Sequence, residues 1–406
     1  MTPRAAPPQI VPTPWGLVVL LAAMTAFGAM SIDMYLPALP EMAAALKAGP
    51  AAAQATVAVF YLGMGFGQLL YGPASDLWGR RPAILAGIAV YVAASLVCMA
   101  ATGVEVLLAA RLAQALGGCA GIVIGRAVVR DRFDHVNAAR ILSLLSLVMG
   151  LAPLLAPFAG AAILHVAGWR PIFGTLAAFG VAVGLSVLVF LRESRSAESA
   201  AKARAENPFR AYRALLGTPR FIGYLLAGGL NGACLLTYIA SSPAVLMGHY
   251  GVSPGAFGWY FGVNALGIMG GAQFNRLLLR RFVPDDVLAI VALFALASGA
   301  VLVFAAVTGI GGMALLLGAL FCLLASYGVM TGNTMAGALS IDPHRAGSAS
   351  ALMGTGSYGL GALASTLVAA VSDGSPAAFA AVMLICLGGS SSALFLLALP
   401  KERRPF

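Results

Sequence analysis

Trp15–Ala38 reads WGLVVLLAAMTAFGAMSIDMYLPA. From Trp15 to Ile32 no residue carries a charge. A run of that length approaches the roughly 20 residues needed to cross a hydrocarbon core about 30 Å thick. Comparable runs recur to the end of the chain. Of 406 residues, 60% are hydrophobic and only 9% are charged, where a soluble domain carries about 25% charged residues. That balance excludes an ordinary soluble enzyme, and the high hydrophobicity excludes a disordered chain. The expected fold class is an all-α polytopic membrane protein.

Prolines, short polar turns and charge clusters divide the runs into twelve predicted transmembrane helices. They span 15–38, 51–72, 82–102, 105–126, 141–164, 169–191, 221–246, 255–278, 286–308, 311–336, 345–371 and 377–399. Gly103 and the pair Thr308 and Gly309 mark turns where two neighbouring runs nearly merge. The Pro-rich start, MTPRAAPPQIVPTP, leads into a run that reaches Asp33 without an A-x-A site, so no cleaved signal peptide is expected.

The net charge of +10 is explained by topology. Of the 24 Lys and Arg, 21 fall on the side of the membrane that holds both termini. Arg80 and Arg81 lie in the 2–3 loop. Arg126, Arg130, Arg132 and Arg140 are placed in the 4–5 loop, and seven more occupy the 6–7 loop. Only Lys47 and Arg170 fall on the other side, and Arg111 lies within a helix. The positive-inside rule then places both termini in the cytoplasm, and no nucleic-acid partner is needed. The longest polar stretch splits the chain into a six-helix half (1–191), a cytoplasmic linker (192–220) and a second six-helix half (221–406). A shift of 199 residues carries Gly63, Gly72 and Arg81 onto Gly262, Gly271 and Arg280, and Asp76 onto Asn275. Two parallel repeats imply a pseudo-two-fold axis along the membrane normal, with a cavity between the halves.

Of the 14 acids, only Asp33 falls inside a predicted helix rather than near an end. An ionisable group at membrane depth marks a functional site by default. Arg111 is its only basic counterpart. Asp33 stands eight residues before Glu41, near where helix 1 leaves the membrane, and Arg111 eight residues after Gly103, where helix 4 enters it, which at 1.5 Å per residue puts both about 12 Å deep. They are therefore expected to face one cavity, with a static ion pair as the competing reading. Candidate cavity walls are Met30, Met34, Tyr35, Tyr61, Asn231, Leu235, Tyr238, Phe261, Asn264, Tyr327 and Tyr358. Met and aromatic side chains suit a tolerant, mostly apolar pocket.

Other motifs carry less. Gly354–Gly359 spells G-x-G-x-x-G without a preceding strand, so helix packing explains it better than a nucleotide. The same holds for Gly117, Gly121 and Gly125. There is no Walker A sequence. Cysteine and histidine spacings offer no metal site. No cofactor is expected.

Several stretches resemble one family. Asp33–Pro40 reads DMYLPALP, Gly67–Pro82 reads GQLLYGPASDLWGRRP, Arg111–Gly118 reads RLAQALGG, and Gly150–Gly160 reads GLAPLLAPFAG. GWRPIF (168–173), FGVNALG (261–267) and HRAGSASAL (344–352) extend the likeness through both halves. Together they resemble the Bcr/CflA branch of the major facilitator superfamily, drug:proton antiporters that include bicyclomycin and chloramphenicol exporters. The resemblance implies a major facilitator fold, with Asp33 as the proton-linked acid and Arg111 as its modulator. Asp76, Arg80 and Arg81, beside Gly72, would form a gate latch between the halves, and Pro157 and Gly160 would shape helix 5. Ala156 and Ala161 stand where the antiporter motif often has glycine. Thr25 stands where some relatives carry a second acid, which argues against export of strong cations.

The expected function is proton-coupled export of small amphipathic drugs by alternating access, from a monomer in the bacterial inner membrane driven by the proton gradient alone. The alternative is proton-coupled transport of a metabolite such as an amino acid or dipeptide. An intramembrane enzyme would need a His or a second acid at the depth of Asp33, and none is there. A non-transporting scaffold would need neither the repeat nor Asp33.

Overall fold

The computed structural model describes residues 15–195, 208–372 and 374–399. The charges at Arg4, Lys202, Arg204, Lys401, Arg403 and Arg404, and linker residues 196–207, lie outside them. Among the described residues every regular element is helical. The order is α1 (Trp15–Asp33), α2 (Leu39–Ala45), α3 (Pro50–Trp78), α4 (Arg80–Ala100), α5 (Val104–Arg132), α6 (His135–Ala167) and α7 (Arg170–Phe190). There follow α8 (Pro208–Leu216), α9 (Pro219–Pro243), α10 (Pro254–Leu278), α11 (Pro284–Thr308), α12 (Gly312–Ile341), α13 (Ala346–Val371) and α14 (Ala377–Ala393).

Local chemistry sets many of the ends. Pro at the first turn opens α3, α9, α10 and α11, where its missing N–H costs nothing. The Ser253 hydroxyl caps α10 by accepting from Ala256 N at 3.3 Å. Gly309 (φ 71°) and Gly311 (φ 74°) make the reversal between α11 and α12, in a backbone region that side chains disfavour.

Four helices run longer than their apolar stretches predict. α3 continues through Pro73 to Trp78, α5 to Arg132, α12 to Ile341, and α6 covers 33 residues. Hydropathy marks where a helix leaves lipid. Backbone hydrogen bonding continues into the polar region, so the helix does too. The short helices α2 and α8 were not expected, because neither approaches a membrane-crossing length.

Twelve helices are long: α1, α3 to α7, and α9 to α14. Ten are apolar enough to cross a membrane when α1 is counted together with α2. α10 and α13 are not among the ten, although they have 25 and 26 residues. The packing explains their glycines and polar side chains. α13 lies on α3 and α10 lies on α6, so each turns one face to the opposite half. Within the first half α3 and α4 pack on α5, α1 on α6, and α4 on α7. The same pairings recur in the second half, with α10 and α11 on α12, α9 on α13, and α11 on α14.

Candidate functional site

α1 stops at Asp33, whereas a straight helix was expected to run on to residue 38. The cause is local. Pro37 has no N–H to give the Asp33 carbonyl four residues back. The chain tightens instead, with Tyr35 N donating to Ile32 O at 3.1 Å and Ala38 N to Tyr35 O at 3.0 Å. Leu36–Ala38 is a single 3₁₀ turn before α2. Asp33 is therefore the last residue of a helix broken inside the bundle. It is 2% exposed, and its Oδ1 has no hydrogen-bond partner. α6 closes on this break. A Cβ at Gly160 would collide with the Met34 carbonyl, so the glycine is what lets α6 approach. Pro153 and Pro157 both sit inside α6 without ending it.

Arg111 is fully buried on α5. It forms no ion pair with Asp33. Its Nη1 donates to Ser31 O at 2.9 Å and to Gln114 Oε1 at 2.7 Å. The guanidinium lies over the rings of Phe60 (4.3 Å) and Tyr35 (4.8 Å), a cation–π cage. Asp33 and Arg111 thus flank the same end of α1, but the static pair is not what holds them.

Five of the predicted wall residues make contacts in two groups, Tyr61 with Tyr358 across the halves and Tyr238 with Phe261 and Asn264. The Tyr61 hydroxyl donates to Leu236 O at 3.2 Å, and its ring stands 6.2 Å from that of Tyr358. Tyr238 stacks on Phe261 at 5.5 Å and accepts from Asn264 Nδ2 at 3.0 Å. Asn231 is buried with Nδ2 unpartnered. Met34 and Tyr35 are buried beside the break, and Met30, Leu235 and Tyr327 are half-buried.

None of these eleven side chains lines the large cavity. That cavity, about 1130 Å³, opens at the end of the bundle bearing most arginines, the basic end, and is lined by Gln68, Gly72, Asp76, Arg126 and Tyr212 among others. The opposite end is shut. Gln54 Nε2 donates to Ser241 Oγ at 2.6 Å across the halves, and Phe158 meets Trp259 edge-on at 5.1 Å. Midway, Thr355 Oγ1 donates to Gly65 O at 3.0 Å. Gly354 packs on the Gln68 side chain, so the G-x-G-x-x-G stretch is a helix-packing seam.

The expected latch takes a different form. Arg80, 6% exposed, pairs with Asp76, donates to Asp131 Oδ2 at 2.9 Å, and reaches Ser75 Oγ at 2.7 Å. Arg81 donates to Leu188 O at 2.9 Å. Every one of these partners belongs to the first half. In this conformation the motif braces α3, α4, α5, α7 and the chain after it, and among the described residues none of its hydrogen bonds or ion pairs reaches the second half. Glu193 completes the brace at the start of α4. Its carboxylate accepts from the backbone N–H of Arg80 (3.0 Å) and Arg81 (3.1 Å). Partial burial pushes this carboxyl up, but hydrogen bonds from the N–H groups of Arg195, Arg80, Arg81 and Ser194 outweigh it and hold the group below its usual range. Its contribution is therefore present above about pH 4.3, the ordinary Glu value, and is lost as pH falls through the lower folded value.

Arg80→Ala leaves Asp76 and Asp131 without their shared cation. It should destabilise the protein by about 1.5–3 kcal/mol, the scale of losing charge-assisted hydrogen bonds, because both carboxylates stay partly open to water. Arg81→Ala, with one backbone acceptor at a half-buried site, should cost about 1 kcal/mol, the scale of one hydrogen bond. Thermal melting in detergent decides between them. Equal losses would mean that both arginines serve only to set topology.

A family profile described as Major Facilitator Superfamily matches residues 21–366. The chain belongs to the major facilitator superfamily. It is 32% identical over 393 residues to "Uncharacterized MFS-type transporter YdgK" of Bacillus subtilis, covering 95% of this chain and 96% of that protein. It is 29% identical to "Bicyclomycin resistance protein homolog" of Haemophilus influenzae, covering 93% and 94%. It is 32% identical to "Multidrug resistance protein MdtL" of Citrobacter koseri, covering 80% of each. Among solved structures, a D-xylose-proton symporter superposes with a TM-score of 0.72 at 15% identity over 93% of this chain and 96% of that one, a likeness of fold. The protein is thus a major facilitator transporter, not an enzyme.

In this major facilitator, sequence reasoning missed Asp131, Glu193 and Arg126. Asp131 and Glu193 fall in polar segments that read as ordinary loop. Arg126 was assigned to a loop, but it stands inside α5, six residues before the helix ends. The signal available was its position only nine residues after the fully apolar Gly117.

Proposed function

We propose that this transporter is a proton-coupled antiporter that exports small amphipathic drugs by alternating access. Its basic end faces the cytoplasm of a bacterial inner membrane, it acts as a monomer, and it uses no cofactor. The observation that carries the reading is Asp33, a buried carboxylate with an unpartnered oxygen at a break in α1. An acid in that position gains or loses a proton according to which side the surrounding helices open to. The large cavity at the basic end supports an inward-facing state, in which a drug enters from the cytoplasm and Asp33 releases its proton there. Rocking the halves about α3–α13 and α6–α10 then exposes the drug and the empty acid to the outside, where Asp33 reloads. The names of the bicyclomycin and multidrug resistance relatives support drugs as the substrate class.

Purified protein in weakly buffered detergent tests this directly. Drugs added singly should release protons in a saturable manner. A panel of amphipathic compounds that bind without any proton release would overturn the coupling.

A further inference from the structure

The cavity at the basic end carries a charge imbalance that topology does not require. Its lining includes Arg80, Arg126, Arg130, Arg210 and Arg345 against only two acids, Asp76 and Asp342. Both acids are engaged. Asp76 pairs with Arg80. Asp342 pairs with Arg345 at 3.1 Å and accepts from His344 N at 3.1 Å. Arg126, Arg130 and Arg210 face the same space, and among the described residues no acid is bound to them.

Arg126 is the residue that needs explaining. Rim arginines such as Arg130 and Arg210 follow from the positive-inside rule, but Arg126 lies six residues inside the end of α5, about 9 Å along the helix axis. Its side chain is exposed to the cavity, so the five donors of its guanidinium are open to an incoming anion. Arg126 is also placed at a junction. Arg126 lines the cavity together with Gln68, Gln68 packs on Gly354, and Tyr358, about one helical turn beyond Gly354, stands 6.2 Å from Tyr61. The guanidinium therefore stands where the open cavity leads to the aromatic contact between the halves. Around it, Val123, Ala127, Leu142 and Ala351 supply apolar wall.

We propose that Arg126, assisted by Arg130 and Arg210, is an entry site for the acidic group of an amphipathic substrate, a carboxylate or a group of similar charge. The apolar body of the substrate lies against the adjoining wall. The inference rests on the exporter reading and deepens it, by making organic monoacids and zwitterions the favoured cargo and disfavouring lipophilic cations. A carboxylate matches guanidinium geometry with two parallel hydrogen bonds. Exchange of one proton for a monoanion moves two net charges inward, against one for a neutral drug.

The test uses full-length protein in maltoside micelles and three fluorescent probes with one ring system: diethylaminocoumarin, its carboxylate and its trimethylammonium derivative. Fluorescence anisotropy gives the affinities. The wild type should bind the carboxylate about tenfold more tightly than the neutral parent, the scale of a charge-assisted hydrogen bond, and should bind the cation most weakly. Arg126→Gln should erase the preference and Arg126→Glu should reverse it, with the neutral probe serving as the control for folding. A carboxylate preference that survives Arg126→Glu would overturn the site, as would equal weakening of all three probes. Should neither variant fold, salt titration of the wild type decides. Carboxylate affinity that falls with salt while neutral affinity holds supports the site, and salt-independent binding overturns it. Phosphatidylglycerol is the second anion source. If it displaces the carboxylate probe, the site belongs to a lipid headgroup and the cargo assignment falls; undiminished probe binding supports it. Arg126-dependent carboxylate binding without proton release would sink the exporter reading and leave the site standing. Proton release driven by neutral drugs, with no effect of Arg126, would do the opposite.

Discussion

Replacing Asp33 with Asn should reduce proton-linked drug transport to the level of protein-free vesicles while the helix bundle still folds. The two side chains are nearly the same size, so the packing at the end of α1 is preserved. The amide cannot ionise, and it therefore fixes the site in a form equivalent to the protonated acid. Asp33 bonds neither Arg111 nor any other cation, so the substitution leaves no buried charge stranded, and the usual penalty for breaking a pair does not arise. Loss of transport can then be assigned to the proton rather than to misfolding. Two measurements check it: drug movement in vesicles under an imposed pH gradient, and drug-induced proton release from the purified variant. Unchanged proton release would remove Asp33 from the mechanism. Drug binding that persists in the variant while release disappears is the expected combination.

Adding a single methyl group at Gly160 should also be severe. The Cβ would meet the carbonyl and Cα of Met34, both backbone. Neither can rotate away, so α6 and the broken segment after Asp33 must separate. Overpacking of this kind costs about 1–3 kcal/mol, and here it acts on the segment that carries the acid. Gly160→Ala should lower the melting temperature and reduce transport about tenfold or more, the factor that about 1.4 kcal/mol represents. Gly150→Ala is the matched control on the same helix. Its Cβ would meet the Met269 side chain at 3.2 Å, and a flexible thioether yields readily. Wild-type transport by Gly160→Ala would show that close approach of α6 to α1 is not needed.

Much of this molecule could be read from residue order alone. Twelve apolar runs and one acid inside a run are sums and positions along a line. Lipid enforces them strongly, because every buried backbone group must be bonded within its own helix. The break after Asp33 was legible too, in the Pro37 that cannot serve the Asp33 carbonyl, but a hydropathy reading passes over a proline flanked by leucine and alanine.

Tertiary structure decided who meets whom. Equal depth suggested that Arg111 would face Asp33, yet depth does not set rotation about a helix axis, and the guanidinium turned to Ser31, Gln114 and two aromatic rings. The latch residues were legible as a motif, but their partners Asp131 and Glu193 come from distant segments, and whether they reach the second half depends on how the halves are tilted. The wall residues were chosen by type, and the shut end and the cavity at the other end arise from that same tilt. Arg126 shows the limit most plainly. In the sequence it is one more cation at the edge of an apolar run, and only a helix that continues to Arg132 carries it into the wall of the passage. Hydropathy is a property of each segment, whereas contacts between segments depend on their rotation and tilt, which residue order constrains only through the packed whole.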